Sequence, residues 1–412
     1  MKVWLFQTGE PLHCDEDNPR PMRAINLANK LVEAGHDVVL WSSAFSHQKK
    51  KHRVNFFSII EINENLEIRL IPSCGYKRHI GLKRMVDHFQ LARNLRKALK
   101  GERDVPDIAF IGYPPIETAA VINKWLKCRS VPTILDIKDL WPFMFVEIFP
   151  RYLQPIAKIA LYPYFFLAKR AILDASSISS MALPFLEFVL AFSGRQKTDN
   201  DRVFRLTAPK SRVSDSELSE ALIWAKDKGL HFDRPMLLFV GSFMSVFNFL
   251  PVIESARQLS HCNFVLCGSG DYLNSIKKEA DGLDNIFFPG WVDRPKVELL
   301  AKYSIAALAP YKNIDNFTIN TPNKVVDALS LGLPVLTPLK GEVKRIIDKY
   351  EVGLVYTENL TQCIEKLIKN KEYQIYLSRN SKKLYDMEFD FEQVYDDFVR
   401  HMERMIYEQK TS

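Results

Sequence analysis

One short stretch pairs a lysine with an aspartate at the start of an otherwise apolar segment. In NTPNKVVDALSLGLPVLTP, residues 320–338, Lys324 and Asp327 are three positions apart. This spacing places them on roughly the same face of a helix. A cation in the first turn of a helix is unfavourable unless an anion neutralises it, and the backbone N–H groups there attract phosphate. The pair therefore predicts a site in which Lys324 and the helix start bind a diphosphate and Asp327 binds ribose hydroxyls.

The residues before this pair are typical of a helix start. Asn320 or Thr321 can cap the helix, and Pro322 is favoured in a first turn. A plain capped helix with two exposed charges is the alternative interpretation of the same pattern.

A second candidate phosphate contact lies in MLLFVGSFMS, where a strand pattern ends in a loop. Gly241 allows close approach of the backbone, and Ser242 and Ser245 offer hydroxyl donors. A tight turn alone would also justify the glycine.

Secondary-structure elements must position these residues. Throughout the chain, apolar runs typical of strands alternate with amphipathic stretches typical of helices. VWLFQTG, DVVLWSS, PDIAFIGYPP and PTILDIKDLWP are predicted strands in the first half, with helices between them. MLLFVGSF, NFVLCGSG, NIFFPGWV, SIAALAPY, LPVLTP and VGLVY continue the series in the second half. Such βαβ units form parallel sheets that bind ligands at the carboxyl ends of their strands.

The length of 412 residues suits two domains. Periodicity weakens between about 193 and 234, which marks the junction. We expect two similar α/β domains, 1–205 and 206–384, with a C-terminal helix at 385–412 that packs back on the first.

Together these segments resemble the GT-B glycosyltransferases of family 4. TPNKVVDALSLGLPVLTP matches the P-x-K-x-x-(D/E)-x-x-x-x-G-x-P-V signature, and DIKDLWP, FVGSF, LCGSGDYLNSI and NIFFPGWVDRP follow in the family's order. The resemblance implies two Rossmann-like domains with parallel sheets that face a central cleft. It implies that 206–384 binds a nucleotide diphosphate sugar, that 1–205 binds the acceptor, and that transfer is retaining and independent of metal.

The resemblance also assigns residues. It places Gly268, Trp291 and Val292 at the donor-binding site, where the backbone of Trp291 and Val292 would contact the edge of the base. A Trp291 side chain buried in the hydrophobic core is the alternative. It places Gly9 and Arg23, from the loop and helix after the first strand, near the phosphates.

A catalytic turn is expected at LDIKDLWP, where Lys138 and Asp139 follow a strand. Asp139 as a cap for the next turn is the alternative. Glu117 is a third candidate, or a plain acid at a helix start.

One position departs from the family pattern. Many members carry an acid eight residues before the position of Asp327, and here that position is Ile319. The sugar and its contacts are therefore left open. With no clear D-x-D or H-x-x-x-H motif, we expect neither a metal nor another cofactor.

Two segments favour an anionic membrane surface. Residues 77–103 hold nine Lys or Arg and two acids, and 152–175 has an aromatic-rich apolar core at 159–168 flanked by Lys158, Lys169 and Arg170. A solvated helix face and interdomain packing are the respective alternatives. MKVWLFQTGE lacks a signal-peptide core, and the six cysteines form no C-x-x-C pair. We expect a cytoplasmic protein, peripheral on the inner face of the cell membrane.

The predicted function is transfer of a sugar from a UDP-sugar, or a GDP-sugar, to a glycan or lipid-linked acceptor in cell-surface polysaccharide synthesis. A nucleotide-sugar epimerase shares this fold, but it needs several acids and a histidine that converge on the sugar. A nucleic-acid-binding protein could use the run 77–103, but that run lacks interleaved aromatics, so no nucleic-acid partner is expected.

Overall fold

The computed structural model describes residues 1–16, 20–77, 81–209, 213–357 and 359–411. Residues 78–80 of the basic run and 210–212 of the predicted junction lie outside these ranges. The described chain divides into two compact units. Unit 1 is Met1–Phe204 with Tyr395–Ser412, and unit 2 is Arg205–Val394.

Unit 1 is built on a sheet in which eight strands are identified within the described residues, in the order β10-β9-β8-β7-β1-β2-β6-β5. All neighbours are parallel except β5 and β6. The strands of unit 1, including the separate pair β3–β4, are β1 Lys2–Phe6, β2 Asp37–Ser43, β3 Phe45–Ser46, β4 Lys51–His52, β5 Ser58–Asn63, β6 Leu66–Ile71, β7 Ile108–Tyr113, β8 Thr133–Ile137, β9 Ser177–Ser180 and β10 Arg202–Val203.

The central strands of this sheet are continuous apolar runs because helices cover both faces of a parallel sheet. Residues 3–6 of β1 and all of β7 are buried. The helices of unit 1 are α1 Arg23–Glu33, α2 Leu82–Gly101, α3 Ile116–Lys127, α4 Phe143–Glu147, α5 Gln154–Ala160, α6 Tyr162–Asp174 and α7 Leu183–Ser193, with a 3-10 turn at Arg151–Leu153.

Unit 2 contains an entirely parallel sheet, with six strands among the described residues in the order β13-β12-β11-β14-β15-β16. These strands are β11 Met236–Val240, β12 Asn263–Cys267, β13 Ile286–Gly290, β14 Ser304–Leu308, β15 Val335–Thr337 and β16 Gly353–Val355. Each falls within a run that the sequence predicted to be a strand.

Helices pack on both faces of the second sheet, because alternate side chains of a strand point to opposite faces. Leu237 and Phe239 of β11 belong to one apolar cluster, and Met236 and Leu238 belong to the other. The helices are α8 Asp215–Asp227, α9 Leu250–Gln258, α10 Leu273–Glu279, α11 Arg294–Tyr303, α12 Asp315–Thr318, α13 Asn323–Ser330, α14 Glu342–Tyr350, α15 Leu360–Lys369 and α16 Lys371–Leu384, followed by a π-helical turn at Tyr385–Phe389.

The chain ends in the long helix α17, Phe391–Thr411, which belongs to unit 1 from Tyr395 onward. Phe398 of α17 stacks on Phe204 with ring centres 3.6 Å apart. The predicted α/β class with two Rossmann-like units is confirmed.

The apolar core predicted at 159–168 is divided between two helices. α5 ends at Ala160 and α6 begins at Tyr162, with Pro163 in its first turn. Proline has no N–H and clashes with the carbonyl four residues earlier, so α5 cannot continue through it. Within the described part of the chain, each helix is too short or too polar to span a bilayer.

Candidate active site

Lys324 lies in the first turn of α13, and its side chain reaches the carboxyl end of β11. Its Nζ donates to the carbonyl oxygen of Val240 at 2.6 Å and lies 4.7 Å from the ring centre of Phe239. The neighbours of β11 are β12 on one side and β14 on the other, so the direction of strand order reverses there. Open α/β sheets bind ligands at the carboxyl edge of such a switch point. The structure places Lys324 at that edge.

Gly241 lies against the Lys324 side chain and Gly268 lies against the backbone of Gly241, and a larger residue would not fit at either position. A Cβ added to Gly241 would overlap the ammonium group and come within 2.7 Å of Lys324 Cε. A Cβ added to Gly268 would come within 2.8 Å of the Gly241 carbonyl carbon. Their φ values are +152° and +130°, which L side chains rarely adopt. Three residues predicted from separate motifs are thus brought together.

The predicted cap of this helix is wrong. α13 begins at Asn323, and the N-cap position is Pro322, with no side-chain cap. Asn320 Oδ1 instead accepts from the neighbouring N–H of Thr321 at 2.9 Å. The residue before a proline is held in extended conformation, so Thr321 cannot enter the helix. Both Asn320 and Thr321 are buried beside the helix start.

Asp327 lies one turn after Lys324 and is half-buried. Its carboxylate interacts electrostatically with the hydroxyl of Tyr311, a residue that was not predicted as part of the site. Burial raises the pKa of the Tyr311 phenol, and the Asp327 carboxylate raises it further. Tyr311 forms a β-bridge with Phe247 that joins the loops after β14 and β11. The signal was a tyrosine three residues after the end of β14, at the end of the run SIAALAPY.

The remaining predicted donor contacts differ in exposure. Ser242 and Ser245 are exposed in the loop after β11. Trp291 follows β13 and is 75% exposed, so it is not core filler, whereas Val292 beside it is buried. Trp291 is therefore free to contact a flat ring.

Unit 1 contains a cavity of about 220 Å³ at the carboxyl edge of its sheet. The predicted residues Gly9, Lys138 and Asp139 line it. Asp139 does not cap α4, whose N-cap position is Pro142 without a side-chain bond. Further lining residues were not predicted as site residues: Gln7, Thr8, Glu10, Met22, Ser43, Phe45, His47, Tyr76, Arg84, Asp87, His88, Leu91, Tyr113, Pro114 and Pro115.

Lys138, which follows β8, is held by two side chains from the loop after β1. Its Nζ forms an ion pair with Glu10 and donates to Gln7 Oε1 at 3.2 Å. Glu10 Oε2 in turn accepts from the backbone N–H of Ala24 at 2.9 Å. Lys138 Nζ also lies 3.8 Å from Asp136 Oδ2, so this lysine is fixed in the cavity wall among carboxylates that balance its charge.

Arg23 does not occupy the predicted position near a phosphate. Its guanidinium is buried, with NH1 donating to Asp136 Oδ1 at 2.8 Å and NH2 donating to the Phe204 carbonyl at 2.6 Å. Asp136 also accepts from Ser179 Oγ at 2.7 Å. A buried arginine pairs with a buried carboxylate because either charge alone would be costly there. Arg23 therefore stabilises unit 1 rather than contacting a donor.

Glu117 and His88 form a buried pair beside the cavity. Glu117 lies in the first turn of α3, as predicted, and accepts a hydrogen bond from the Tyr164 hydroxyl. Its Oε2 is 3.9 Å from His88 Nδ1. Burial raises the pKa of Glu117 and, together with the charge of Arg84, lowers the pKa of His88 to about 3. His88 is thus neutral near pH 7 and offers one donor and one acceptor nitrogen.

Only weak indications in the sequence pointed to the cavity residues that were not predicted. Arg84 and His88 are four positions apart on α2, with Asp87 and Leu91 on the same face. The sequence pattern predicts this polar stripe only as part of the basic run 77–103. Glu10 follows Gly9 directly and was passed over because its partner Lys138 is more than a hundred residues away.

The described residues contain no group of three or more His, Cys, Asp or Glu placed to hold a metal ion. Whether the reaction needs a metal remains a prediction.

Comparison with known proteins supports a glycosyltransferase. Residues 234–370 match the family described as glycosyl transferases group 1, which covers the segment that holds Gly241, Lys324 and Asp327. No curated protein sequence is significantly similar to the chain.

Several solved structures share the fold over almost the whole chain. Sucrose-phosphate synthase from Thermosynechococcus elongatus has 14% identity and a TM-score of 0.72, with 98% of this chain and 99% of that chain covered. Anabaena HepE in complex with UDP has 12% identity and a TM-score of 0.62, with 98% and 99% covered. WaaG, a glycosyltransferase involved in lipopolysaccharide biosynthesis, has 13% identity and a TM-score of 0.65, with 97% and 98% covered.

At these identities the solved structures establish the fold, and the family match identifies the second unit. Residues 234–370 match the group 1 glycosyl transferase family, and the chain shares the GT-B fold of these solved glycosyltransferases over almost its whole length.

Proposed function

We propose that this glycosyltransferase transfers a sugar, with retention of configuration, from a nucleotide diphosphate donor held in unit 2 to an acceptor held in unit 1. The observation that supports this most is the position of Lys324. Its ammonium group lies in the first turn of α13, next to Gly241 and at the carboxyl end of β11.

The chemistry requires stabilisation of a departing diphosphate. Lys324 and the N–H groups at the start of α13 supply positive charge that is already in place before the reaction, which is the most effective form of electrostatic catalysis. The glycine at 241 lets the phosphates approach this charge. Since a lysine and a helix start can replace a cation, we propose that transfer is independent of metal.

Retention is proposed to proceed by a front-face transfer assisted by the leaving phosphate. Ile319, where many relatives carry an acid, is half-buried at the end of α12 and offers no carboxylate. On this route, Lys138 and Asp139 of the unit 1 cavity position the acceptor hydroxyl.

We propose UDP as the nucleotide, with GDP as the alternative. HepE was solved in complexes with UDP and with UDP-glucose, and it shares the fold of this chain. Asp327 would accept the ribose hydroxyls, and Trp291 with the backbone at Val292 would contact the base.

A lipid-linked acceptor is supported by an exposed apolar surface on unit 1, here called the aromatic surface. It consists of large side chains that are 44–77% exposed: Ile148, Phe149, Tyr152, Ile156, Ile159, Tyr162 and Phe166. No acid occurs between 148 and 173, whereas Arg151, Lys158, Lys169 and Arg170 are exposed among these residues. Contiguous apolar surface with cations around it suits an anionic bilayer.

Helix α2 extends the aromatic surface. Leu82, Val86 and Phe89 lie on its exposed side, and the Phe89 ring is 6.2 Å from that of Tyr164 in α6. The opposite side of α2 lines the cavity through Arg84 and His88. We propose that the protein binds the inner face of the cell membrane through the aromatic surface and acts in cell-surface polysaccharide synthesis.

The alternatives are less well supported. The family match favours a glycosyltransferase over an epimerase. The basic run 77–103 contributes apolar side chains to the surface described above, which does not suit a nucleic-acid partner.

Thermal shift with UDP, GDP and their glucose conjugates tests the donor, because a ligand that binds the folded state raises its stability by mass action. We expect UDP and UDP-glucose to raise the melting temperature in the presence of EDTA. We also expect release of UDP from UDP-glucose to persist in EDTA. Activity that disappears with EDTA and returns with magnesium or manganese would contradict metal independence, and a response to neither nucleotide would contradict the proposed function.

A further inference from the structure

Three basic side chains converge on Tyr76 in the wall of the unit 1 cavity. The Arg84 guanidinium carbon lies 5.5 Å from the Tyr76 ring centre, and Lys50 Nζ lies 4.8 Å from it. His47 Nδ1 is hydrogen-bonded to the Tyr76 hydroxyl, and Lys50 Nζ is 3.4 Å from the same nitrogen. Arg84, His47 and Tyr76 all line the cavity.

The three side chains come from two separate parts of unit 1. His47 and Lys50 lie in the turn between β3 and β4, whereas Arg84 lies in the first turn of α2. Arg84 is also held against the Trp141 ring, with its guanidinium carbon 4.9 Å from the ring centre. Contact with an aromatic ring restrains the guanidinium, whose planar fork of donors is well suited to bind phosphate.

Two like charges lie close together in this cluster, and the charge of Arg84 also acts on the Glu117 carboxyl group of α3. Burial and, second, the charge of Arg84 lower the pKa of Lys50 to about 8, so two like charges repel each other there. Burial raises the pKa of Tyr76 to about 12, so its hydroxyl stays neutral. The nearest acid on α2, Asp87, accepts from the backbone N–H of Gly75 at 2.6 Å. A bound anion would relieve the repulsion between Lys50 and Arg84.

We propose that Arg84, Lys50 and His47 form a subsite for a phosphoryl group carried by the acceptor. The proposal rests on the proposed function in taking the unit 1 cavity as the acceptor site. The acceptor would then be a phosphorylated compound, with its anionic group at Arg84 and its reacting hydroxyl toward Lys138. The phosphoryl group could belong to a soluble sugar phosphate or to a polyprenyl phosphate carrier.

Calorimetric titration of the full chain, saturated with UDP so that phosphates cannot enter the donor site, tests this directly. The probes are glucose 6-phosphate, farnesyl phosphate and, as the uncharged control, glucose. We expect at least one phosphate to bind and glucose to bind at least tenfold more weakly. The phosphate that binds more tightly identifies the source of the group.

Arg84→Gln and Lys50→Gln should each weaken phosphate binding at least tenfold, whereas Lys83→Gln should leave it unchanged. Lys83 is the matched control because it is an exposed cation next to Arg84 on the same helix. Lys50→Gln is included as a second variant in case Arg84→Gln disrupts the folding of unit 1. The subsite would be overturned if glucose and glucose 6-phosphate bind equally. It would also be overturned if the affinity for phosphate stays within twofold of wild type in both Lys50→Gln and a folded Arg84→Gln. Failure of UDP itself to bind would instead count against the proposed function.

Discussion

Lys324 contacts a carbonyl oxygen and two aromatic rings at the carboxyl end of β11. Its Nζ donates to Val240 O at 2.6 Å, and the ring centres of Phe239 and Phe247 are 4.7 and 5.4 Å away. The faces of aromatic rings attract an ammonium group and so help to hold it in place. The fixed position of the lysine lowers the cost of organising the site for an incoming diphosphate.

Gly241→Ala tests this arrangement without altering any charge. The new methyl group would overlap the Lys324 ammonium, so the lysine must move. We expect release of UDP from UDP-glucose to slow about a hundredfold, approaching the effect of Lys324→Ala, for which we expect a loss of about 2–4 kcal/mol of transition-state stabilisation. Gly282→Ala is the control, since Gly282 also has positive φ, +78°, but nothing within 4 Å of an added Cβ. Equal rates in the two alanine variants would show that backbone strain, not Lys324, matters.

His88 makes the stability of unit 1 depend on pH. Its pKa is about 3 in the folded protein and about 6.5 in an unfolded chain. The unfolded state therefore binds more protons between these values, and stability is lost as the pH falls below 6.5. At pH 5 the loss from this group is about 2 kcal/mol.

Urea unfolding at pH 7.5 and pH 5 measures this contribution. Wild type should lose about 2 kcal/mol more than His88→Gln between the two pH values. His401, whose pKa burial lowers to about 4, is retained in both proteins and cancels in the difference. His261→Gln, at an exposed position of unit 2, should behave as wild type. Identical losses in wild type and His88→Gln would refute the prediction.

At the scale of elements, α2 and α6 each have one side packed in the protein and one side with exposed apolar residues. Tyr164 of α6 is only 6% exposed because its hydroxyl bonds to Glu117, whereas Tyr162 and Phe166 on either side are 67% and 57% exposed. The sequence predicted the aromatic stretch as a candidate membrane surface. It did not show which aromatic residues point inward, because the partner Glu117 lies on a distant helix.

Vesicle flotation tests the aromatic surface. Replacing Ile159, Tyr162 and Phe166 with serine should abolish binding to vesicles that contain anionic lipid and leave unit 1 folded. Binding of wild type should weaken with salt, since each cation near the surface contributes about 1 kcal/mol.

The matched control for flotation is Ile223→Ser with Tyr407→Ser, at positions 62% and 70% exposed but outside the aromatic surface. Wild-type protein that binds neutral and anionic vesicles equally would remove the electrostatic part of the proposal. If wild type does not float at all, a soluble acceptor becomes the better proposal.

Strands were predicted better than helix starts. β1, β2, β7 and β8 are apolar runs that stay buried on both faces, so the sequence alone identifies them. The antiparallel pair β5–β6 was not predicted, because β5 lies at the sheet edge and its residues alternate between half-buried and exposed. The start of α13 was misplaced because a local bond from Asn320 competes with capping.

At the scale of the whole molecule, the same arrangement occurs in both units. In each sheet the strand order reverses at the first strand of the unit, β1 or β11, and the candidate residues lie at the carboxyl end of that strand. Periodicity predicted two α/β units, and the family resemblance implied that they are Rossmann-like, but the strand order was not predicted. These features of the sequence did not reveal the cavity, because its wall combines Lys138 with Glu10 and with Arg84, which are distant in the sequence.

The central claim is that the start of α13 binds a nucleoside diphosphate through Lys324 and Asp327. Titration of UDP into wild type, Lys324→Ala and Asp327→Ala in the presence of EDTA tests it most directly. We expect wild type to bind and each variant to bind at least tenfold more weakly, a difference of about 1.4 kcal/mol or more. Lys340→Ala, at an exposed lysine of the same unit, should bind as wild type. Unchanged UDP affinity in both Lys324→Ala and Asp327→Ala would contradict the account.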